Sequence, residues 1–427
     1  YVRKALWDFY TEELNSGKDA VEAYGSVVED KEKSKIYKSA RGKGGWKRAS
    51  WDQATELVAA GQIHTIKKYG PDHMANFSPI PAMSLLSFIS GHRYNNILGG
   101  IYCSYYEWYH DLPHVSSSMF GDQTENCESS DWYLGTYWIV AGSNINMTRT
   151  ADSHFLSEAK YRGSKIVVMS PNYSDVTKYA DTWVPLVPGS DGAFLMACIH
   201  VILKEFYVDK ETPYFTEYSK QYTNLPFLVV LDKDGDKYQM GRFLRASDIT
   251  EYANEENADW KLIMTDGDGK LHVPTGSIGF RWEEKPTGNW NLQLKNAVTK
   301  EDFDPLLTLL GNDDQEASVS FSDFSDTFSI FIGKTEGKGQ NAKEILRSVP
   351  ARKVKTKDGK ELLVTTAFDL TMAQAGVGRG LGGDYPEDYN DPKPYTPAWQ
   401  ESHTGVGRDL AIQIGKEFAE NAEKTKG

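Results

Sequence analysis

Three short apolar runs, each followed by a polar turn and then a helical stretch, constrain the fold of this chain most. They occupy residues 137–141, 165–169 and 182–187. Strand, turn and helix in this repeated order are typical of βαβ units, which build parallel sheets. We therefore predict an α/β fold in which Rossmann-like parallel sheets carry flanking helices, with β-hairpin insertions elsewhere in the chain.

The turns after these runs form the first candidate site, because parallel sheets bind ligands at the carboxyl ends of their strands. The first turn places small residues and an amide where backbone N–H groups can approach a phosphate. The second offers a polar side chain for a ribose, and the third offers a hydroxyl donor and a carboxylate acceptor for a guanine edge. The predicted binding residues are Gly142, Ser143 and Asn144, then Ser170, Pro171 and Asn172, and finally Pro188, Gly189, Ser190 and Asp191.

A purely structural role for each turn stays open, because turns between strands and helices are rich in Gly, Ser and Asp in any case. The sequence also limits which nucleotides these turns could bind. The chain contains neither a GxGxxG fingerprint nor a Walker lysine loop. Ordinary NAD or ATP binding is therefore disfavoured.

The second candidate site is the aromatic segment, residues 99–123, in which aromatic side chains surround one acid, Asp111. Aromatic walls exclude water, so a carboxylate among them keeps its charge only if a cation or several donors face it. Pro113 rules out a regular helix through the cluster and favours an irregular turn at Asp111. An active-site acid and a hydrogen-bonded structural aspartate both fit this pattern. The aromatic residues are Tyr102, Tyr105, Tyr106, Trp108, Tyr109 and Phe120, and the acid is flanked by His110 and His114.

Composition limits the partners and the metal chemistry. The formal net charge of −13 argues against nucleic acid and against anionic membrane surfaces as partners. No run approaches the roughly 20 apolar residues that span a bilayer. Cys103, Cys127 and Cys198 are isolated and too few for a four-cysteine iron–sulfur or zinc site. We predict that they are buried free thiols.

The chain divides into four predicted parts. Residues 1–50 form an N-terminal linking segment, and residues 51–208 form the α/β region with both candidate sites. Residues 209–360 form a β-rich insertion with Asp-Gly hairpins, and residues 361–427 return to the α/β domain. Because Tyr1 opens inside an apparent helix with no initiating Met, we expect a fragment of a longer chain.

Two local patterns add detail to this division. Ser50, with Gln53 three residues later, forms a capping box that starts a helix, and Gly70-Pro71 ends it. Residues 376–399 form a long loop rich in Gly, Pro and Tyr, of the kind that lines a site or a subunit interface.

Seven motifs occur in a recognisable order. They are SYYEWYHDLP, GDQTENCESSDWY, AGSNINMTRTADSHF, VVMSPNYSD, WVPLVPGSDGAFLMACIHVILKEF, SIGFRWEEK and PYTPAWQESHTGV. Together they resemble the catalytic α subunit of the nitrate reductase and nitrite oxidoreductase group. These are molybdenum bis(pyranopterin guanine dinucleotide) enzymes of the dimethyl sulfoxide reductase family. The resemblance runs from about residue 45 to residue 427.

The resemblance implies a role for the aromatic segment. Asp111 would ligate molybdenum, where other branches of the family use Ser, Cys or selenocysteine, and Glu107 is the weaker candidate. A high-valent metal prefers an anionic oxygen ligand, and a carboxylate can change denticity to open a position for an oxyanion. Tyr109 would line the site as a donor to that oxyanion, while the roles of the two nearby histidines stay open. The three turns would hold the guanine dinucleotide tails of the pterins.

The resemblance also implies an activity and partners. The protein would move one oxygen atom between nitrate and nitrite, with a slight preference for nitrite oxidoreductase. A [4Fe-4S] cluster is expected in the full subunit, with its ligands outside this sequence. Electrons would pass to an iron–sulfur β subunit, with a haem γ subunit as an option, in a membrane-associated complex or a periplasm-like compartment. Reduction of chlorate, perchlorate or selenate, hydrocarbon hydroxylation and a non-catalytic scaffold subunit remain the alternatives.

Overall fold

The computed structural model describes residues 1–77, 85–103, 127–275, 293–312, 315–325 and 343–425 of the chain. The chain divides into two compact units, Tyr1–Glu125 and Asn126–Gly427. Most of the aromatic segment, including Tyr109 and Asp111, lies outside the described residues, and so does the SIGFRWEEK motif.

The first unit is mainly helical. Its elements are β1 (Val2–Arg3), α1 (Lys4–Asn15), α2 (Ala20–Glu29), α3 (Lys31–Ser39), β2 (Trp46–Lys47), α4 (Trp51–Tyr69), β3 (Ala75–Phe77), α5 (Leu85–Leu98) and β4 (Ile101–Cys103). Trp7 and Tyr10 of α1 are buried in one cluster with Ala23 of α2 and Leu57 of α4. Residues 1–50, predicted as a linking segment, therefore contribute to a packed core.

The predicted start and end of α4 are confirmed. The Ser50 hydroxyl accepts a hydrogen bond from the Gln53 backbone N–H at 3.2 Å, and the Gln53 side chain accepts one from the Ser50 N–H at 3.0 Å. Both bonds satisfy backbone donors at the start of the helix. The helix ends at Gly70, whose φ of 106° is a conformation that favours glycine.

The second unit combines strands with helices. In chain order its elements are β5 (Tyr137–Ala141), α6 (Ile145–Thr148), α7 (Ser153–Tyr161), β6 (Lys165–Met169), β7 (Thr182–Val184), α8 (Asp191–Ile202), a π-helix (Leu203–Asp209), α9 (Pro213–Tyr222), β8 (Leu228–Asp234), β9 (Lys237–Phe243), β10 (Met264–Thr265), β11 (Leu271–His272), β12 (Pro274–Thr275), β13 (Gln293–Asn296), β14 (Gln315–Asp323), β15 (Lys343–Lys355), β16 (Glu361–Thr366), α10 (Ala367–Gln374), α11 (Pro397–Thr404) and α12 (Arg408–Thr425). The 3₁₀ turns of the described chain are Pro71–His73, Ser129–Leu134, Thr150–Asp152, Asp175–Tyr179 and Ala246–Asp248.

A parallel sheet of three strands forms the central layer of this unit, as the sequence predicts. The strand order is β5-β6-β7, and both neighbouring pairs are parallel. The third strand is shorter than predicted and ends at Val184 instead of residue 187. It ends there because Pro185 has no N–H with which to continue the ladder.

Helices cover both faces of the sheet, because neighbouring residues of a strand point to opposite sides. On one face, Val167 of β6 packs in a cluster with Phe194 of α8 and Ile414 of α12. On the other face, Ile166 packs in a cluster with Leu156 of α7. The resulting three layers are those of the predicted α/β fold.

The remaining long strands form a closed barrel in the order β14-β15-β16-β8-β9. Its neighbours are antiparallel, except where β9 meets β14 through the parallel pair of Tyr238 and Val319. The sequence places the end of the β-rich region at residue 360, whereas the barrel continues to Thr366. The reason is that β16 pairs with both β15 and β8, and such pairing depends on strands far away in the sequence.

The prediction that the three cysteines are buried free thiols is only partly correct. The three cysteines are free, but only Cys198 is buried, and burial raises the pKa of its thiol to about 12. The prediction of buried thiols is wrong for Cys103, which is half-buried, and for Cys127, which is exposed. Cys198 differs because it lies between α8 and α12, where its thiol contacts the Ala411 carbonyl at 3.6 Å. Across the described ranges, no helix is both long and apolar enough to cross a membrane.

Candidate cofactor-binding edge

Three turns lie at the carboxyl edge of the parallel sheet. Because β5, β6 and β7 are parallel neighbours, their carboxyl ends share one edge. The Gly142 N–H donates to the Met169 carbonyl at 3.4 Å, and the Ser170 N–H donates to the Val184 carbonyl at 3.1 Å. These bonds connect each turn to the end of the next strand. We call residues 142–144, 170–172 and 188–191 the first, second and third turns.

The first turn presents open backbone and an exposed hydroxyl. Gly142 is exposed with a φ of 64°, and a Cβ added there would meet nothing within 4 Å. Ser143 is also exposed, and its side chain has no hydrogen bond within the described part of the chain. Asn144 is half-buried, and its Oδ1 accepts the Val176 N–H at 3.1 Å. The scaffold therefore already uses the amide oxygen, which leaves the amide nitrogen as a donor.

The second turn is held from within. The Ser170 hydroxyl donates to the Asn172 carbonyl at 2.8 Å, and the Trp183 indole N–H donates to the Ser170 carbonyl at 3.0 Å. Pro171 and Asn172 are exposed.

An exposed aromatic ring stands beside the second turn. Tyr173 is 70% exposed, and its ring lies edge-on to that of Trp183 with centroids 5.1 Å apart. Tyr173 is not among the binding residues predicted from the sequence, although its position directly after Asn172 places it at the second turn.

The third turn separates its two polar side chains. Ser190 is fully buried, and its hydroxyl donates to the Val187 carbonyl at 2.6 Å. The Ser190 hydroxyl proton is therefore engaged within the turn and is not available to a ligand. Pro188, Gly189 and Asp191 are exposed, and the Asp191 carboxylate has no hydrogen bond to any described residue. Asp191 is the accessible acceptor of this turn, at the first residue of α8.

An ion pair fixes α12 against the first residues of the sheet strands. Lys165 contacts the Glu417 carboxylate at 2.5 Å, and the Tyr137 hydroxyl donates to it at 3.1 Å. Burial favours a higher pKa for Glu417, but hydrogen bonds from Lys165, Gln413 and Tyr137 outweigh burial and lower the pKa of this carboxyl. Burial and the adjacent Glu417 charge raise the pKa of the Tyr137 hydroxyl.

The edge suits a nucleotide tail. Small residues and open backbone at the first turn permit close approach of a phosphate, and Asn172 and Asp191 supply exposed polar side chains. The described residues include no group of three or more His, Cys, Asp or Glu side chains that could hold a metal ion. The predicted metal ligand Asp111 and the predicted donor Tyr109 lie outside those residues.

Comparison with known protein families identifies the class. The model of the molybdopterin oxidoreductase family matches residues 28–417, so the chain belongs to this family. The predicted fold class and family are thereby confirmed. Membership implies a molybdenum–pterin cofactor, in agreement with the prediction from the motifs.

Individual relatives show which members of this family the chain is similar to. The chain is 43% identical over 428 residues to the respiratory nitrate reductase 1 alpha chain of Escherichia coli (strain K12), covering all of this chain and 34% of that protein. It is also 43% identical over 428 residues to the nitrate reductase alpha chain of Bacillus subtilis (strain 168), covering 33% of that protein. The perchlorate reductase subunit alpha of Dechloromonas aromatica (strain RCB) is 34% identical over 273 residues, covering 62% of this chain and 28% of that protein. The chain thus spans about a third of the length of the nitrate reductase chains it matches.

Proposed function

We propose that the protein containing this chain is a molybdenum enzyme that moves one oxygen atom between nitrate and nitrite. It would act as a respiratory nitrate reductase α subunit or as a nitrite oxidoreductase. This proposal rests on the similarity to nitrate reductase alpha chains, which are 43% identical to this chain over its whole length. That coverage includes the aromatic segment and all three turns.

The three turns would hold the guanine dinucleotide tails of a molybdenum bis(pyranopterin guanine dinucleotide). Open backbone at Gly142, with Ser143 and Asn144, would take a phosphate. In the second turn, Ser170 and Pro171 would set the shape of the turn, and Asn172 would contact a ribose. The third turn would read the guanine.

The exposed Asp191 carboxylate fits the guanine edge best. A carboxylate accepts two hydrogen bonds side by side, and guanine presents two neighbouring N–H donors on its pairing edge. Pro188 and Gly189 would bring the backbone close to the base. Because the Ser190 hydroxyl donates to Val187, its contribution is to hold the turn in shape.

The aromatic segment would supply the reaction centre. The bound molybdenum supplies the two-electron exchange of an oxygen atom, and Asp111 would be its protein ligand. Tyr109 would donate a hydrogen bond to the oxyanion. With a net charge of −13 the chain as a whole repels nitrate, so attraction has to be local. The protein's part is to orient the anion and to exclude water.

Partners and compartment follow from the same assignment. Electrons would pass through a [4Fe-4S] cluster, whose ligands lie outside this sequence, to an iron–sulfur β subunit. A haem γ subunit would complete a membrane-associated complex. Within the second unit, residues 126–208 and 367–427 would form the cofactor-binding domain, and residues 209–366, which include the barrel, would be inserted into it. The packing of α12 against the parallel sheet supports this division.

Perchlorate or chlorate reduction is the second candidate. The similarity to a perchlorate reductase subunit alpha supports it, at 34% identity over 62% of this chain. Both candidate reactions move oxygen to or from a small anion, so the same turns and the same acid would serve either.

The test uses the purified full-length protein. Molybdenum and guanine nucleotide are quantified first, and we expect about one molybdenum and two guanines per chain, as a bis-dinucleotide cofactor requires. Nitrate reduction, nitrite oxidation and perchlorate reduction are then measured side by side. Turnover of nitrate or nitrite above that of perchlorate supports the proposal, and the reverse order supports the second candidate. A correctly matured preparation without molybdenum would instead indicate a scaffold subunit.

A further inference from the structure

The motif at residues 394–406 contains a buried polar network to which the proposed function assigns no role. Gln400 and Thr404 of α11 are both fully buried. The Thr404 hydroxyl donates to Gln400 Oε1 at 2.6 Å and accepts the Val406 N–H at 3.0 Å. Gln400 Nε2 in turn donates to the Val406 carbonyl at 2.8 Å. Three residues thus form a closed ring of hydrogen bonds at the end of the helix.

The network is more than this helix end requires. Gly405 follows Thr404 with a φ of 74°, and its N–H already bonds to the Glu401 carbonyl at 3.1 Å. Such a left-handed glycine is a sufficient helix cap by itself. The side chains of Gln400 and Thr404 add bonds to both backbone groups of Val406, and these bonds restrain the backbone on either side of Gly405, including the Thr404 carbonyl.

That carbonyl holds the third turn. It accepts the Val187 N–H at 3.1 Å. The Val187 carbonyl then accepts both the Ser190 N–H at 3.1 Å and the Ser190 hydroxyl at 2.6 Å. The Ser190 carbonyl accepts the Ala193 N–H at 3.0 Å, inside the first turn of α8. A continuous chain of hydrogen bonds therefore leads from α11 to the residue that precedes Asp191.

Apolar contacts also connect α11 and the residues beside it to α8. Ala193 near the start of α8 is buried in one cluster with Trp399 in the first turn of α11 and with Tyr395, which lies just before that helix. Val406 is buried with residues of α8 and α12. Because both ends of α11 contact α8, the third turn has little freedom to move on its own.

We propose that Gln400 and Thr404 are positioning residues for the guanine end of the cofactor, acting through Val187 and Ser190 on the geometry of Asp191. This inference rests on the proposed function, and it assigns to the seventh motif a role in retaining the cofactor. Without the Thr404 hydroxyl, Gln400 Oε1 and the Val406 N–H are buried with no partner, and the end of α11 has to rearrange. The Val187 N–H then loses its fixed acceptor, and the third turn loosens.

The experiment follows cofactor release from the full-length protein in dilute urea, below the unfolding transition. Molybdenum and guanine nucleotide that stay with the protein are measured over time after gel filtration. We expect Thr404→Val to release guanine nucleotide about ten-fold faster than the wild type, the effect of losing one good hydrogen bond. Thr404→Ser keeps the hydroxyl, and we expect it to restore slow release.

Thr366→Val is the matched control. Thr366 is also fully buried, and its hydroxyl donates to Asp369 at 2.8 Å and accepts the Asp369 N–H at 3.0 Å. It lies at the end of β16 and has no hydrogen bond to the third turn. We expect this variant to lower the thermal midpoint while the rate of release stays that of the wild type.

The outcomes separate the inference from the proposed function. If Thr404→Val releases guanine nucleotide no faster than Thr366→Val at a matched loss of thermal stability, the inference is wrong. It is also wrong if Thr404→Ser releases the nucleotide as fast as Thr404→Val.

If Thr404→Val does not fold, Gly405→Ala replaces it, because a Cβ strains the left-handed residue beside the Thr404 carbonyl. Faster release in that variant supports the inference, and unchanged release overturns it. A wild type that holds neither molybdenum nor guanine contradicts the proposed function itself.

Discussion

The carboxyl edge of the parallel sheet and the barrel region use polar residues in opposite ways. At the edge, Ser143 and Asp191 are exposed and make no side-chain hydrogen bond to any described residue. Next to the barrel, Asp369 is fully buried, and all its acceptor positions are used. Its carboxylate accepts bonds from Thr308 at 2.5 Å, Leu309 N–H at 2.9 Å, Thr366 at 2.8 Å and Arg379 at 2.8 Å.

Arg347 of β15 shows the same use of polar groups on a larger scale. It is fully buried, and burial lowers the pKa of its guanidinium. The guanidinium donates to the carbonyls of Ala373 and Gln374, which lie just before the loop predicted from its Gly, Pro and Tyr content, and to two carbonyls within that loop. These are the carbonyls of Asp384 and Pro394. These hydrogen bonds therefore hold the loop against β15 of the barrel.

The contrast separates two purposes. A polar group whose partners all come from the chain contributes to stability and has nothing left for a ligand. A polar group that is exposed and unpaired contributes little to stability and can bind. Substitutions at the edge should therefore change function with little effect on folding, and those near the barrel should do the reverse. We expect the aromatic segment to behave like the edge, because the sequence predicts an active-site acid there.

The largest effect is expected at Asp111. Asp111→Ala should abolish turnover and leave the thermal midpoint almost unchanged, because the sequence predicts an irregular turn there, and an acid on such a turn contributes little packing. Asp111→Glu should also fail, because one extra methylene moves the oxygen by more than the roughly 0.2 Å that metal coordination tolerates. Glu107→Gln should be much milder. Molybdenum content and nitrate turnover are the measurements, and an inactive Glu107→Gln beside an active Asp111→Ala would show that the ligand assignment is wrong.

The next largest effect is expected at Asp369, in stability. Asp369→Ala leaves Arg379 buried without its counter-charge, where the side chains are 0% and 7% exposed, and should cost about 3–5 kcal/mol. The measurement is the opening free energy of the β16 amides by hydrogen exchange. Glu361→Ala is the control, because its ion pair with Lys353 is 62% and 59% exposed and should contribute less than about 1 kcal/mol. Equal effects of the two variants would contradict the contrast.

A smaller effect is expected at Tyr109. Tyr109→Phe should lower kcat/KM for the oxyanion by roughly ten-fold, the loss expected for one hydrogen bond to a charged group. Tyr252→Phe is the counterpart in the β-rich region, where the hydroxyl donates to the Leu271 carbonyl at 2.7 Å and accepts from Asn296 at 2.8 Å. It should lower stability and leave kcat/KM unchanged. Wild-type kinetics in Tyr109→Phe at full metal occupancy would show that other residues hold the anion.

The smallest effect is a pH dependence at Glu417. Because its pKa is lowered from 4.5 in the folded protein, its contribution to stability is complete above that pH and is lost as the pH falls through the folded pKa. We expect at most about 1 kcal/mol, since Lys165 and Glu417 are 33% and 27% exposed. Opening free energies of α12 amides between pH 6 and about pH 3 measure it. Glu417→Gln should remove this part of the pH dependence, and an unchanged profile in that variant would assign it to other carboxylates.

Local patterns predicted the elements well. The capping box at Ser50 and the strands of the parallel sheet are confirmed, because their determinants lie within a few residues of one another. The strand β16 (Glu361–Thr366) lies in the part that the sequence assigns to the α/β domain, and its place in the barrel was not predicted. Its partners β15 and β8 are recognised only when the chain is folded, since any strand with a suitable face can pair with another.

The sequence by itself determined the α/β layer, the positions of the three turns and the family, because periodicity and ordered motifs are properties of the chain alone. Only the tertiary structure decided which polar groups of the turns remain available. Asn144 is engaged by Val176, and Val187 is held by Thr404 from another part of the chain. Hydrogen-bond partners far apart in sequence meet only after the layers pack, so no local pattern can indicate them.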